Sequence, residues 1–202
     1  MKRLIFLQIF ISIFACTNST NIVLPNFNRK DTINYDNQIY YIGKIRTWTS
    51  EDWDYWEIFL LDSIYGKYRT WTSEDWDHWE FFIDDITGNI RTWTSEDWDH
   101  WEIEMNNTYF SIKTFTSEDW DHWEIIGENK NFDAHTWTSE DWDYWEIYND
   151  RIYYKIKTWT SEDWDYWEIW ADKKNIEITD LAAICFIPIF TSSILIQEII
   201  NK

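Results

Sequence analysis

The chain has 202 residues and a net charge of −20, and 21% of it is aromatic, with eighteen Trp against four Gly and two Pro. So acidic a chain repels nucleic acid and anionic headgroups, which excludes a nucleic-acid role and favours neutral or cationic ligands. Disordered chains are poor in aromatics, so this one is expected to fold, and its length suits one domain.

Residues 1–16 read MKRLIFLQIFISIFAC. Lys2 and Arg3, the apolar run Leu4–Phe14 and the small Ala15 form the pattern of a secretory signal. General signal cleavage wants small residues at the last and third-last positions, and Ile13 is not small. The stretch Ile13-Phe14-Ala15-Cys16 instead resembles a bacterial lipoprotein box, with Phe14 departing from the small residue usual there. Plain secretion and an uncleaved anchor or internal helix are the alternatives. The resemblance implies that residues 1–15 are removed and that Cys16 becomes a lipidated N-terminus, stably held because more than one acyl chain inserts. Thr17, in place of Asp, implies an outer-membrane lipoprotein, periplasmic or surface-facing, with the lipid bilayer as a partner. Residues 16–36, rich in Asn and Thr over Thr17–Lys30, form a tether.

From residue 37 to 175 one phrase dominates. TWTSEDWDYWEI stands at Thr47–Ile58, recurs unaltered at Thr136–Ile147 and Thr158–Ile169, and returns with one or two changes from Thr70, Thr92 and Thr114. The starts are 23 residues apart once and 22 four times, the mark of a repeat protein. Twenty-four acids in the phrases, less the five basic residues that precede them, account for −19 of the net charge. Each unit reads as a β-hairpin. Ile45–Ser50 and Trp53–Phe59 are β-branched or aromatic and alternate, and Ser50-Glu51-Asp52-Trp53 suits a type I turn.

That turn sets a register: Ile45 opposite Ile58, Thr47 opposite Trp56, Trp48 opposite Tyr55. It also sets Arg46 opposite Glu57, and likewise Arg69–Glu80, Arg91–Glu102, Lys113–Glu124, His135–Glu146 and Lys157–Glu168. Such pairs contribute about 0.2–1 kcal/mol each, and they specify register more than they stabilise. One face then carries Ile45, Thr47, Thr49, Asp54, Trp56 and Ile58, its apolar end in the core. The other carries Arg46, Trp48, Trp53, Tyr55 and Glu57. Asp85–Asn89, Asn106-Asn107 and Asn149–Arg151 read as connecting turns, and Asn37–Lys44 as an additional first strand. The expected fold is all-β: six tandem hairpins in a meander, closing as a barrel or flower-like ring in preference to an open solenoid, because closure removes sticky edges.

The outer aromatic strip is the candidate ligand surface: Trp48, Trp53 and Tyr55, with Trp71, Trp76, Trp93, Trp98, Trp120, Trp137, Trp142, Trp159 and Trp164. Rows of Trp and Tyr stack on sugar faces or hold cations, so a glycan or a cationic ligand is the partner class. Packing is the competing use of the same rings. Glu51, Asp52 and Asp54 at each tip offer oxygens suited to calcium, without the glycine or spacing of a known calcium loop. His78, His100 and His122 occupy the Tyr55 position in successive units, about 9–10 Å apart in a flat sheet, so they could share a metal ion only if a closed ring aimed them at its axis. No metal site and no other cofactor is expected. Six equivalent copies of one environment do not supply the distinct roles that catalysis needs, so the chain reads as no enzyme.

Residues 176–202 contain the uncharged run Leu181–Gln197 after a helix cap at Thr179 or Asp180. Seventeen residues broken by Pro188 are short for a bilayer, so burial against or inside the repeats, as a helix or a pair of strands, is preferred to a membrane span. Cys16 and Cys185 form neither a disulfide framework nor a zinc spacing.

The signal and Thr47–Ile169 resemble uncharacterised tryptophan-rich β-repeat lipoproteins of Bacteroidetes-type bacteria, including those with WD-x-W repeats, a resemblance that implies no activity. Choline-binding repeats are distantly similar in being short aromatic hairpins, but their Gly-Trp opening is absent and no ligand position is carried over. The reading is thus a non-catalytic exported repeat protein of the cell envelope with a structural or multivalent-binding role. The alternative is a carbohydrate- or cation-binding module.

Overall fold

Alternating strands dominate the computed structural model, which describes residues 38–200 except 50, 51, 74, 96, 118, 139, 140 and 162; the side chains of residues 62 and 195–200 are also outside the description. The signal, Cys16 and the tether therefore lie outside the described residues.

The six hairpins pair β1 (Tyr40–Thr47) with β2 (Tyr55–Leu60), β3 (Tyr65–Thr70) with β4 (His78–Ile83), and β5 (Ile86–Thr92) with β6 (His100–Met105). They continue with β7 (Thr108–Thr114) and β8 (His122–Gly127), β9 (Asn131–Thr136) and β10 (Tyr144–Tyr148), and β11 (Tyr153–Thr158) and β12 (Tyr166–Ala171). All neighbours are antiparallel, and β1 pairs with both β2 and β12, so the sheet is a closed twelve-stranded barrel. The phrase tips gather at one end, the tip end, and the varied links between hairpins at the other, the connector end.

The expected register holds in all six hairpins, from Arg46 opposite Glu57 to Lys157 opposite Glu168. Five of these pairs are within ion-pair reach, from 2.7 Å for Arg69–Glu80 to 4.0 Å for His135–Glu146. Arg91 stands opposite Glu102 but leans to the neighbouring strand, where its Nε donates to His78 Nε2 at 3.3 Å. Two connections differ from the sequence reading. Asn37–Lys44 makes no separate strand, since Tyr40–Lys44 lengthens β1. The turn before β5 is Asp84-Asp85 alone, and Ile86–Asn89 already lies in the strand, because Asp84 takes the positive φ of 56° that a two-residue hairpin link requires.

Inward positions form layers. Nearest the tips, Trp56, Trp79, Trp101, Trp123, Trp145 and Trp167 are all at most 1% exposed. Each burial removes about 150–250 Å² from water, or about 4–6 kcal/mol as an upper estimate. The next layer holds mainly Ile, as in Ile45–Ile58 and Ile156–Ile169. Glycines occupy the connector layer: a Cβ on Gly88 would lie 2.4 Å from the Phe81 ring, which folds over that position.

The barrel's axis is filled by the C-terminal segment, in helices α1 (Ile178–Ile184) and α2 (Phe186–Ile200), with Leu181–Ile194 buried. It is a plug. A helix apolar on every side is suited to such a site. The break at Cys185 falls where Pro188 would clash with the carbonyl four residues earlier. Phe186 and Phe190 stack on each other and meet Trp101 edge-on at 5.1 and 4.5 Å. Tyr68 donates to the Ala182 carbonyl at 3.0 Å, and Ser193 donates to the Trp53 carbonyl at 3.1 Å. Lys130, between β8 and β9, pairs with Glu177 and Asp180 at the plug's entry. No described helix is long and apolar enough to cross a membrane. The strands have five to eight residues, where a membrane-spanning strand needs about 9–11, and their outer face carries charge pairs where such a barrel presents an apolar band.

Candidate binding rim

The repeated phrase divides its residues between holding the ring together and facing solvent. Trp56 donates its indole N–H to the carbonyl of Trp53 at 3.0 Å, and the same bond recurs from Trp79, Trp101, Trp123 and Trp167. That bond accounts for the W-D-x-W spacing. Asp54 belongs to the seam between units: it accepts from Ser73 at 2.7 Å, as Asp77 does from Ser95, Asp99 from Ser117 and Asp143 from Ser161. The next unit's indole adds a second clamp, with Trp98 donating to Asp77, Trp120 to Asp99 and Trp164 to Asp143. Thr47 N–H reaches the Asp165 carbonyl at 3.0 Å, which carries the same pattern across the point of closure.

The strip of the sequence reading is therefore split. Trp53 is buried, and Trp76, Trp98, Trp120, Trp142 and Trp164 are half-buried against the core, folded over the barrel's mouth. Trp98 and Trp120 also lie close to Phe190 of the plug, at 6.4 and 6.0 Å. The turn breaks the two-residue alternation, so Trp53 leaves the face that strand counting assigns to it. Trp48, Trp71, Trp93, Trp137 and Trp159 do face outward, and 57–62% of each is exposed. Phe115, which the candidate set did not include, completes the ring at 60% exposed.

Each rim aromatic rests on the residue opposite it, in two ways. Trp71, Trp93 and Phe115 stack face to face on His78, His100 and His122, with centroids 4.9, 5.3 and 4.7 Å apart and planes within 10°. Trp48, Trp137 and Trp159 meet Tyr55, Tyr144 and Tyr166 edge-on at 73–83°, or 74° for the first. Because the ring is closed, the Tyr-backed units are contiguous, and so are the His-backed ones. The rim has two unlike halves.

The histidines face outward and do not converge on the axis: His100 contacts Ser111 Oγ at 2.9 Å and His122 contacts Asp133 at 3.2 Å. Among the described residues no three His, Cys, Asp or Glu side chains come together to hold a metal ion. Glu51 and its five equivalents lie outside the described residues. At the last tip, Asp163 is pushed up to about 6 by sharing a hydrogen bond with Asp165, by desolvation and by the charge of Asp165. Among the described tip carboxylates Asp54, Asp77, Asp99 and Asp143 are thus committed to neighbours, whereas the rim aromatics present large exposed surfaces. No protein-family model, curated protein or solved structure matches the chain.

Proposed function

We propose that the protein is a non-catalytic, exported binding scaffold of the bacterial cell envelope, which engages a repetitive ligand through its six rim aromatics. The observation that carries this reading is the exposure of Trp48, Trp71, Trp93, Phe115, Trp137 and Trp159, 57–62% each, in a phrase whose other tryptophans are buried or half-buried. A chain with one environment repeated six times offers equivalent contacts, which suits multivalent capture and not acid–base chemistry. Flat ring faces backed by imidazole or phenol are stacking platforms for sugar rings, and the net charge of −20 selects against anionic glycans. Single contacts would be weak, and several engaged together raise affinity through effective concentration. A cationic ligand is the second reading, favoured by the same charge and by the aromatic faces. Lipidation of Cys16 would hold the barrel at the outer membrane, periplasmic or surface-facing.

A neutral-glycan array tests the ligand class. Binding by the parent chain should fall more than tenfold in the triple variants Trp48/Trp137/Trp159→Ala and Trp71/Trp93/Phe115→Ala, with melting temperature nearly unmoved. A blank array for the parent chain, with no binding of quaternary ammonium ligands either, leaves only the scaffold role. Radiolabelled palmitate incorporation tests the anchor, with loss of label expected in Cys16→Ser.

A further inference from the structure

The barrel's connector end is open on one side. Between the start of β1, the β2–β3 link and the chain entering α1 lies a cavity of about 700 Å³, within the range of small-molecule sites, about 300–1,000 Å³. Its origin is local. The register of β1 against β12 shifts between Tyr41 and Gly43, and the β2–β3 link contains a 3₁₀ turn over Leu61–Ser63, in the unit whose spacing is 23 and not 22. Both irregularities border the cavity, which Tyr41, Ile42 and Leu61 help to line.

The lining is amphiphilic: the aliphatic side chains of Ile42, Leu60, Ile176 and Leu181 stand with the polar groups of Tyr40 and Asn175. At its mouth Ile39 and Leu61 are 43% and 52% exposed, although the rest of the barrel hides its aliphatic side chains well. Among the described residues Lys174 is the one charged residue lining it, with Nζ 4.7 Å from the centre of the Tyr40 ring. In a chain of charge −20, a chamber that sets aliphatic side chains beside an ammonium group is a distinct environment. We propose that this cavity binds a single-chain anionic amphiphile, a long-chain carboxylate. Its alkyl chain lies against Ile42, Leu60 and Leu181, and its carboxylate meets the Lys174 ammonium. The site is at the opposite end of the barrel from the rim and does not depend on it.

Calorimetry on the full mature chain, below micellar concentrations, tests this with octanoate, decanoate and dodecanoate against alkyltrimethylammonium ions of the same lengths. Each buried methylene should tighten binding about fourfold, so each step of two about sixteenfold. Lys174→Glu should weaken the carboxylates at least tenfold and spare the ammonium series. Ile176→Trp, and separately Ile39→Trp from the facing wall, should abolish binding with the melting temperature unchanged. The proposal is overturned if no carboxylate binds, which includes the case that residues before Gln38 fill the space. It is equally overturned if the ammonium ions bind as tightly as the carboxylates, or if binding survives both Trp substitutions and is lost in the rim triple variants.

Discussion

The two ends of this barrel follow different rules. At the tip end nearly identical loops repeat the same bonds: the threonine amide across the seam in all six units, the indole to the carbonyl three residues back in five, and the Ser–Asp clamp on the next unit in four. At the connector end the links vary: they include a 3₁₀ turn, two-residue turns at Asp84-Asp85 and Asn106-Asn107, longer links elsewhere, and the entry of the plug held by Lys130. The seam between units is built at the tips, so a change there would have to be made six times. The connectors take no part in those tip bonds and are free to differ. Individual features such as the cavity and the plug entry accumulate there.

The largest effect that sharpens this contrast lies within the phrase itself. Trp101→Ala, which removes the indole lying against both plug phenylalanines, should cost about 3–5 kcal/mol. Trp93→Ala, in the same unit but on the rim, should stay within about 0.5 kcal/mol. Urea denaturation of the two variants measures both, and comparable losses would break the division of the phrase into internal and exposed roles. Next comes the seam: Asp77→Ala leaves Ser95 and the Trp98 indole without their acceptor and should cost about 1–3 kcal/mol. The same substitution at the connector residue Asp85 should be near neutral. Smaller again is Arg69→Ala, about 0.2–1 kcal/mol, because its pair with Glu80 lies on the outer wall.

The smallest effect depends on pH. Asp163 has a folded-state pKa of about 6, above that of an unfolded aspartate. The folded state therefore holds that proton more tightly, and the associated stability is present at low pH and lost as pH rises from about 4 through 6. Asp163→Asn should raise the melting temperature slightly at pH 7.5, by no more than about 1 kcal/mol equivalent given solvent screening, and leave it unchanged near pH 4. A stabilisation equal at both pH values would contradict the shared-proton account.

Much of the fold was legible because it follows from strand geometry. The basic or imidazole residue before each phrase and the glutamate near its end fix the register without reference to anything else, and the two sticky edges of an open meander argue for closure. Turn geometry was not legible. Alternation places Trp53 beside Trp48, whereas the tip's backbone sends it over the mouth, where its carbonyl is needed by Trp56. Asp77 gave no signal of its role, since its partners Ser95 and Trp98 belong to the following unit and are near it only once the sheet is formed. The uncharged C-terminal run was readable as a buried segment, but its choice of helix over strand rests on what the barrel's interior, already fully paired, leaves for it: a structure that satisfies its own backbone. The rim was half visible, in that exposure of Trp48 follows from its register while the backing by His or Tyr needs the third dimension.

Closure is the claim on which the plug, the seam and the six-membered rim all depend, and the Thr47 amide reports on it. Its hydrogen bond to Asp165 exists only if β1 meets β12, whereas its counterparts at Thr92 and Thr114 bond to Asp77 and Asp99 within the middle of the sheet. Residue-resolved amide hydrogen exchange should find Thr47 protected to the same order of magnitude as Thr92 and Thr114. Exchange of Thr47 at the rate of a free amide, with the other two still protected, would mean an open sheet and contradict the account.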